Sequence, residues 1–555
     1  MTLHVPVDPW PRRALRLVRV ARSTQLLREI RTGTLHGVPS LVLEHGLNAA
    51  MLHALHARMH PERPAIVDVR GSLTYAEVNR EISRLANALL VRLSIRRGDS
   101  VVIALENRAE YLVAWFAAMR AGVRVLHVGA HATGEELTDV LRRGSVRVIF
   151  ASDATIEASR RACAAVPGTS PVVVACDRSA RGEREIAYDD VVASGDDAYP
   201  AVRRARSESV VFTSGTTGTP KGALRDFAAF GPRELARVLD RLPFACGDRH
   251  LVVGPLQHSA PQVFALIHTA LAATLHLVPQ FDAEATLRAL SAHRIHSLFV
   301  VPTMLRRMLD LPASVHQETP TLDLRAVVVG SSEFTDDLRR AAIRRFGARA
   351  VFDFYGATEL GWVTLIRGDE MLAHPGSVGR PLPGQQVRIL DQEGHATEPG
   401  ARGVIAVRNA QTMLGYANDP LATRGARRGQ WWTVEDLGWL DADGFLYLSG
   451  RARDMVKTGG VNVYPAEVER VLREDPAVRE IAVIGVRDRD WGERLVAVVI
   501  PSGGAFDSEA VVMRARARLS PAKVPREWHV VETLPRNANG KVMKAELRRR
   551  FDALA

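Results

Sequence analysis

Val210-Val-Phe-Thr-Ser-Gly-Thr-Thr-Gly-Thr-Pro-Lys-Gly222 is an apolar, strand-like run that opens into a loop of hydroxyls and glycines and closes on a lysine. Glycines let backbone N–H groups come close to an anion, and the hydroxyls and Lys221 add donors and charge, a combination suited to a polyphosphate. The loop does not end in Gly-Lys-Ser/Thr, since Lys221 stands between Pro220 and Gly222, so it is not a P-loop.

The text on either side of this stretch alternates short apolar runs with helical patterns. Ala65–Val69 precedes a helical Leu73–Leu93, opened by Thr74 with Glu77 three residues on, the spacing of a capping box. Strand-like Val101–Leu105, helical Ala109–Ala121, strand-like Val123–Val128, helical Gly134–Arg143 and strand-like Val146–Ala151 follow. Further units run through Val327–Gly330 and Val351–Tyr355. Such βα alternation predicts an α/β fold with a mainly parallel, doubly wound sheet. Between Val378 and Tyr447 the pattern changes to short strands with Gly/Pro/Asp turns, which predicts a small β-rich subdomain. After the charged segment Arg451-Ala-Arg-Asp454 about a hundred residues carry their own β/α pattern, with a helix at Pro465–Glu474 and strands at Ile481–Val486 and Leu495–Ile500.

At 555 residues the chain is long enough for two to four domains, and 46% hydrophobic with 24% charged residues is the composition of a globular protein. The most apolar stretch, Ala265–Val278, is broken by His268 and His276 and is too short to span a bilayer. Arginines at 12, 13, 16, 19 and 22 interrupt any signal-peptide core, and three cysteines without metal-like spacing argue against a thiolate site. A cytoplasmic protein is expected. The formal charge of +11 points to anionic partners. Residues 1–40 read first as a basic arm packed on the protein's own surface and second as an amphipathic helix on the inner face of an anionic membrane. Lysine stands only at 221, 457, 523, 541 and 544 in a chain that otherwise uses arginine, so these positions include sites that need a compact ammonium.

Four further stretches carry residues able to bind or to react. Tyr355-Gly-Ala-Thr-Glu359 follows a strand and supplies an aromatic face, a hydroxyl and a hard carboxylate. Trp432-Thr-Val-Glu-Asp-Leu-Gly438 carries Asp436, a carboxylate able to accept from two vicinal hydroxyls. Asp454-Met-Val-Lys-Thr-Gly-Gly460 joins Lys457 to a Gly459-Gly460 turn. Leu534-Pro-Arg-Asn-Ala-Asn-Gly-Lys541 ends in a lysine retained in an arginine-rich chain.

Together, and in this order, these motifs resemble the ANL superfamily of adenylate-forming enzymes over most of the chain, from about residue 50 onward, and most nearly its acyl-CoA synthetases of fatty-acid CoA ligase type. The resemblance implies a basic extension at 1–48, an AMP-binding adenylation domain at 49–450, a hinge at 451–454 with Arg453 as pivot, and a small mobile α+β lid at 455–555. It assigns Thr213, Ser214, Gly215, Thr216, Thr217, Gly218 and Lys221 to the phosphates of ATP. Tyr355 goes to adenine, with Gly356 beside it in the cofactor site, Thr358 to the α-phosphate, Glu359 to Mg²⁺, Asp436 to the ribose, and Arg451 to ribose or phosphate. Lys541 becomes the catalytic lysine, and Lys457, Gly459 and Gly460 line the passage of the coenzyme A arm. Pro255-Leu-Gln-His258 resembles the acyl-pocket motif, with His258 beside the carboxylate, and Ser332 and Glu333 lie where relatives flank the adenine and acyl group. Relatives usually carry glycine where this chain has Glu435. An amino-acid substrate is disfavoured because no acid follows His258.

The reading is a medium- or long-chain fatty acid activated with ATP and transferred to CoA. The alternatives are an aryl-CoA ligase and a fatty acyl-AMP ligase that loads a carrier protein. No nucleic acid is expected as a partner, and the chain is expected as a monomer or homodimer.

Overall fold

The computed structural model describes residues 20–24, 49–166, 168, 171–177, 182, 184–198, 200, 208–213, 221–226, 231–319, 323–451, 454–458, 461–488, 491–503, 506–516, 518–537 and 540–552. The amphipathic pattern at 12–21, Ser214 to Gly218, Arg453, Gly459 and Gly460 lie outside the described residues or almost wholly so.

Three sheets organise the chain. In the first, strands Ser100–Ala104, Arg124–Val128, Val146–Ala151, Val172–Ala175, Glu185–Ala187 and Glu208–Thr213 run parallel, and Lys221–Asp226 turns back antiparallel on the last of them. In the second, Pro64–Asp68, Thr274–Leu277, Arg249–Val252, Ser297–Val300, Ala326–Val329 and Val351–Ala357 form a parallel centre. It continues through Gly361–Arg367 and Ser377–Pro381 into the antiparallel strands Leu446–Arg451, Asp436–Leu440 and Gly403–Arg408. This is the doubly wound, mixed arrangement expected, with its β-rich annex.

Two helices are buried on every side, Ala109–Ala121 completely and Ser259–Ala270 over Pro261–Thr269. One hydrophobic cluster holds both of them together with Val101, Val125 and Phe150 of the first sheet and Val252, Phe299 and Phe352 of the second, so the helices are sandwiched between the sheets. The apolar run Val263–Leu275 is therefore core.

The capping box forms as predicted: Glu77 N–H donates to Thr74 Oγ1 and Thr74 N–H to Glu77 Oε2. The helix spans Tyr75–Leu90, shorter than predicted, because Gly71–Thr74 pairs as a strand with Pro64–Asp68. Beyond Arg451 a five-stranded sheet built on the long hairpin Val478–Asp488/Gly492–Pro501 forms the small C-terminal domain. Among the described residues no helix is long and apolar enough to cross a membrane, and Cys163, Cys176 and Cys246 form no disulfide.

Candidate active site

The strand Glu208–Thr213 ends beside Lys221, with Thr213 and Lys221 opposite each other in the antiparallel ladder, so the ladder sets the base of the Ser214–Gly218 loop. The Lys221 ammonium lies 5.5 Å from the centre of the Tyr416 ring. Tyr416 in turn donates its hydroxyl hydrogen bond to Glu359 Oε1 at 2.9 Å. One tyrosine thus ties the phosphate-loop lysine to the carboxylate expected to hold a metal.

The Tyr355–Glu359 stretch is the tip of a β-hairpin rather than a plain strand end. Val351–Ala357 pairs antiparallel with Gly361–Arg367, and the register shifts between Tyr355 and Gly356. A Cβ on Gly356 would overlap the carbonyl of Gly361, so only glycine lets the two arms close there. The turn is secured by Arg225, buried to 8% exposure, which donates to the carbonyls of Thr358 at 3.3 Å and Gln411 at 3.1 Å. Burial lowers the Arg225 pKa to about 10, and the nearby Glu359 carboxylate partly restores its charge. Thr358 Oγ1 lies 3.0 Å from Ser259 Oγ, the first residue of the helix that follows His258.

Tyr355 donates its hydroxyl to Asp436 Oδ2 at 2.9 Å, and Arg451 Nε lies 2.8 Å from Asp436 Oδ1. The adenine, ribose and hinge residues of the sequence reading therefore meet at one carboxylate. Burial and Asp436 together push the Tyr355 phenol well above its ordinary range. Burial opposes charge on Arg451, but Asp436 and Asp454 hold its proton more tightly than usual. Glu435 has φ +63, the backbone shape for which glycine is favoured, and its side chain is tied outward to Arg428 at 2.7 Å.

Lys541 arrives from the other domain. Its backbone N–H donates to Asn537 Oδ1 at 2.9 Å and Asn537 N–H donates to the Lys541 carbonyl at 3.0 Å, closing a tight loop. Gly540, at φ +71, packs so closely on Thr303 of the large domain that a Cβ would overlap its hydroxyl. The loop brings the half-buried Lys541 side chain near Arg451, Asp436 and Asp454. Burial first, and Arg451 second, lower its pKa to about 8, against the pull of the two aspartates.

The lid is held in this position by ion pairs to the large domain. Glu333 is turned to Arg473 of the small domain, and Arg402 pairs with Glu467 at 3.4 Å. The Glu333 carboxylate spans the two domains, while Ser332 stays partly buried on the loop after Ala326–Val329. Lys457 is exposed on the lid strand Val456–Thr458, its backbone N–H donating to Glu493 Oε2 at 2.8 Å. His258 caps the helix Ser259–Ala270 with extended backbone, and burial lowers its pKa to about 4, so the imidazole is neutral at physiological pH. Tyr416, Arg225 and Ser259 join the site although no sequence motif singled them out; each is a lone residue whose role depends on which strand lies beside it.

Residues 54–417 match the family model described as AMP-binding enzyme, and residues 467–541 match that of the AMP-binding enzyme C-terminal domain. The chain is 32% identical over 508 residues to an indoleacetate–CoA ligase of Aromatoleum aromaticum, covering 89% of this chain and 96% of the relative. It is 30% identical over 495 residues to a long-chain-fatty-acid–CoA ligase of Mycobacterium tuberculosis, covering 88% and 94%. Among solved structures, ATP-bound MatB from Rhodopseudomonas palustris superimposes with a TM-score of 0.82 at 28% identity, covering 92% of this chain and all of that one. The chain belongs to the AMP-binding enzyme family of adenylate-forming enzymes, as an acyl- or aryl-CoA ligase.

Proposed function

We propose that the protein activates a compact carboxylic acid bearing an aromatic ring, first as its acyl-adenylate and then as its CoA thioester. The observation that carries the two-step reading is Lys541, which reaches across the domain boundary to the Tyr355–Asp436–Arg451 group. In the first step a carboxylate oxygen attacks the α-phosphorus of ATP and pyrophosphate leaves. Negative charge gathers on the phosphoryl oxygens, where the Lys541 ammonium and the Thr358 hydroxyl are placed to meet it. Asp436 accepts from the ribose hydroxyls, Tyr355 stacks on the base, and the Thr213–Lys221 loop takes the outer phosphates. Glu359 suits Mg²⁺: it is a hard, buried oxygen donor standing near Lys221, and Mg²⁺ is commonly held by one carboxylate and substrate phosphates. When bound, the ion would neutralise phosphate charge. In the second step the lid rotates, Lys541 withdraws and the Lys457–Gly460 segment admits the CoA thiol. The thiol loses its proton, its sulfur attacks the acyl carbon and AMP departs.

The aromatic preference rests on the cluster of rings packed between the helix Ser259–Ala270 and the strands beside it. Phe354 lies against the bare α-carbon of Gly330, with 2.6 Å between its ring and the position a Cβ would take. Behind it, ring centres of Phe354 and Trp362 are 5.0 Å apart, Trp362 and Phe264 4.9 Å, and Phe264 and Phe299 5.1 Å. These four buried rings give the strand ends a rigid aromatic backing, which supports a flat substrate over a long alkyl chain. The similarity to an indoleacetate–CoA ligase supports the same reading.

The test is mass spectrometry of products after incubation with MgATP, CoA and a panel of alkyl, aryl and arylalkyl acids. Thioesters of the aromatic acids are expected. Thioesters of long alkyl acids alone would restore the fatty-acid reading, and acyl-AMP accumulating in the presence of CoA would point to a carrier-protein acceptor. A second expectation concerns Gly330→Ala, whose methyl must displace the Phe354 ring: kcat/KM for the aromatic acid should fall about tenfold or more, with the KM for ATP little changed. Equal kinetics in this variant would show that Gly330 and Phe354 do not shape the acyl site.

A further inference from the structure

Both backbone polar groups of Leu256, two residues before His258, are taken by side chains from the first sheet's side of the molecule. The Leu256 N–H donates to Asn107 Oδ1 at 2.8 Å, and its carbonyl accepts from the Tyr111 hydroxyl at 2.9 Å. Asn107 Nδ2 also donates to the carbonyls of Gly254 at 3.0 Å and Val278 at 3.1 Å. Gln257 packs on Gly129 so tightly that a Cβ there would meet its Nε2 at 2.7 Å.

Behind Tyr111 the contacts form a chain with one consistent proton assignment. The single Tyr111 proton is directed at Leu256, so the 2.6 Å contact between Tyr111 Oη and His127 Nδ1 requires the proton on Nδ1. Burial lowers the His127 pKa to about 3, so the ring is neutral and Nε2 is a bare acceptor, 3.2 Å from Ser209 Oγ. Ser209 therefore donates to His127, and accepts from Trp115 Nε1 at 3.4 Å. Tyr111, Trp115 and Ser209 are wholly buried, and His127 is 2% exposed. Ser209 lies on Glu208–Thr213, the strand that carries the phosphate loop. The chain thus runs from that strand to the loop holding His258, and Ser259 just beyond it touches Thr358.

We propose that Tyr111, held by His127 and Ser209, is a positioning residue that fixes the Gly254–His258 loop and so the place of the reacting carboxylate. The proposal rests on the reading that the carboxylate lies beside His258. An apolar residue could fill the same space, but the fixed direction of every hydrogen bond sets the loop's position as well as its burial.

The experiment is pyrophosphate exchange with the acid that gives most thioester in the product panel, on Tyr111→Phe, His127→Leu, His127→Asn and His258→Ala. Asparagine at 127 can keep an amide N–H where Nδ1–H stood; leucine cannot. Tyr111→Phe and His127→Leu are expected to raise the KM for the acid about tenfold with the KM for ATP within about twofold, and His127→Asn to stay near the parent. An unchanged acid KM in Tyr111→Phe and His127→Leu, or acid and ATP KM rising together with a lowered Tm, would overturn the proposal. If His258→Ala alone raises the acid KM, the positioning role falls and the site reading stands. If His258→Ala also has no effect, the placement of the carboxylate falls and the proposal with it.

Discussion

Lys541→Ala slows acyl-adenylate formation by about a hundred- to a thousandfold, the range for removing one preorganised charge from a phosphoryl-transfer site, while a preformed acyl-adenylate is still converted to thioester at close to the parent rate. The split follows from the proposed mechanism: Lys541 lies near Asp436, Arg451 and Asp454 in this arrangement of the domains, and in the proposed second step the small domain leaves that position. Pyrophosphate exchange reads the first step, and thioester release from synthetic acyl-adenylate reads the second. Substitutions at Gly459 or Gly460 are expected to do the reverse. Equal loss of both steps in both sets of variants would show that one lid position serves both reactions, contrary to the mechanism above.

The same lysine sets a pH limb. With its pKa lowered to about 8, the ammonium is lost just above neutrality in the free enzyme. kcat/KM for adenylation should therefore fall about tenfold per pH unit on the alkaline side of that value. Lys541→Arg removes the limb because guanidinium stays charged, yet it does not restore full activity, since a planar fork does not replace a compact ammonium. A pH profile flat to pH 9.5 in the parent would mean that Lys541 is not the group that must be charged.

Much of this site was legible as sequence because its chemistry is concentrated in short runs. Thr74 and Glu77 reported a helix start through local spacing alone, and the hydroxyl-rich loop before Lys221 needed only its composition to suggest phosphate. What stayed hidden depends on tertiary pairing. Gly71–Thr74 has the pattern of a helix entrance, and becomes a strand because Pro64–Asp68 lies alongside it. Glu333 belongs by position to the adenine loop, and turns outward because Arg473 of the lid approaches it. Lysine usage was informative in an unforeseen way: Lys523 and Lys544 serve Glu467 and Glu469 within the lid at 2.8 and 2.7 Å, where a small ammonium meets a partly or wholly buried carboxylate. The apolar run Val263–Leu275 owes its apolarity to the sandwich of sheets around its helix, which the run alone does not reveal.

Acidification should unfold the protein cooperatively between about pH 6 and 4, through histidines that the fold buries as neutral rings. Burial lowers the pKa of His56 and His127 to about 3 and of His268 and His276 to about 4, and pushes His53 and His250 well below the ordinary value of 6.5. The folded pKa is depressed in each case, so the stabilisation is complete above the unfolded value of 6.5 and is lost as pH falls toward the folded one. At pH 4 each of His56, His127, His268 and His276 costs about 3 kcal/mol, and the four together cost on the order of 10 kcal/mol, as much as the whole stability of a typical domain. Asp353, raised to about 6 by burial despite its pairing with Arg339, and Glu81, whose carboxyl burial also raises, act in the opposite direction but are two groups against six. The burden is concentrated where His250 and His268 stack at 3.9 Å and share Ser297, which lies 2.9 Å from His250 Nδ1 and 2.8 Å from His268 Nε2. Denaturant unfolding followed from pH 7.5 downward should show stability falling ever more steeply below pH 6.5, with several protons taken up on unfolding. His53→Phe, which removes one ring from the count, should move the acid midpoint to lower pH. Stability unchanged between pH 7 and 4.5 would mean that water or rearranged partners reach these rings and that the helices between the two sheets are packed less tightly than described.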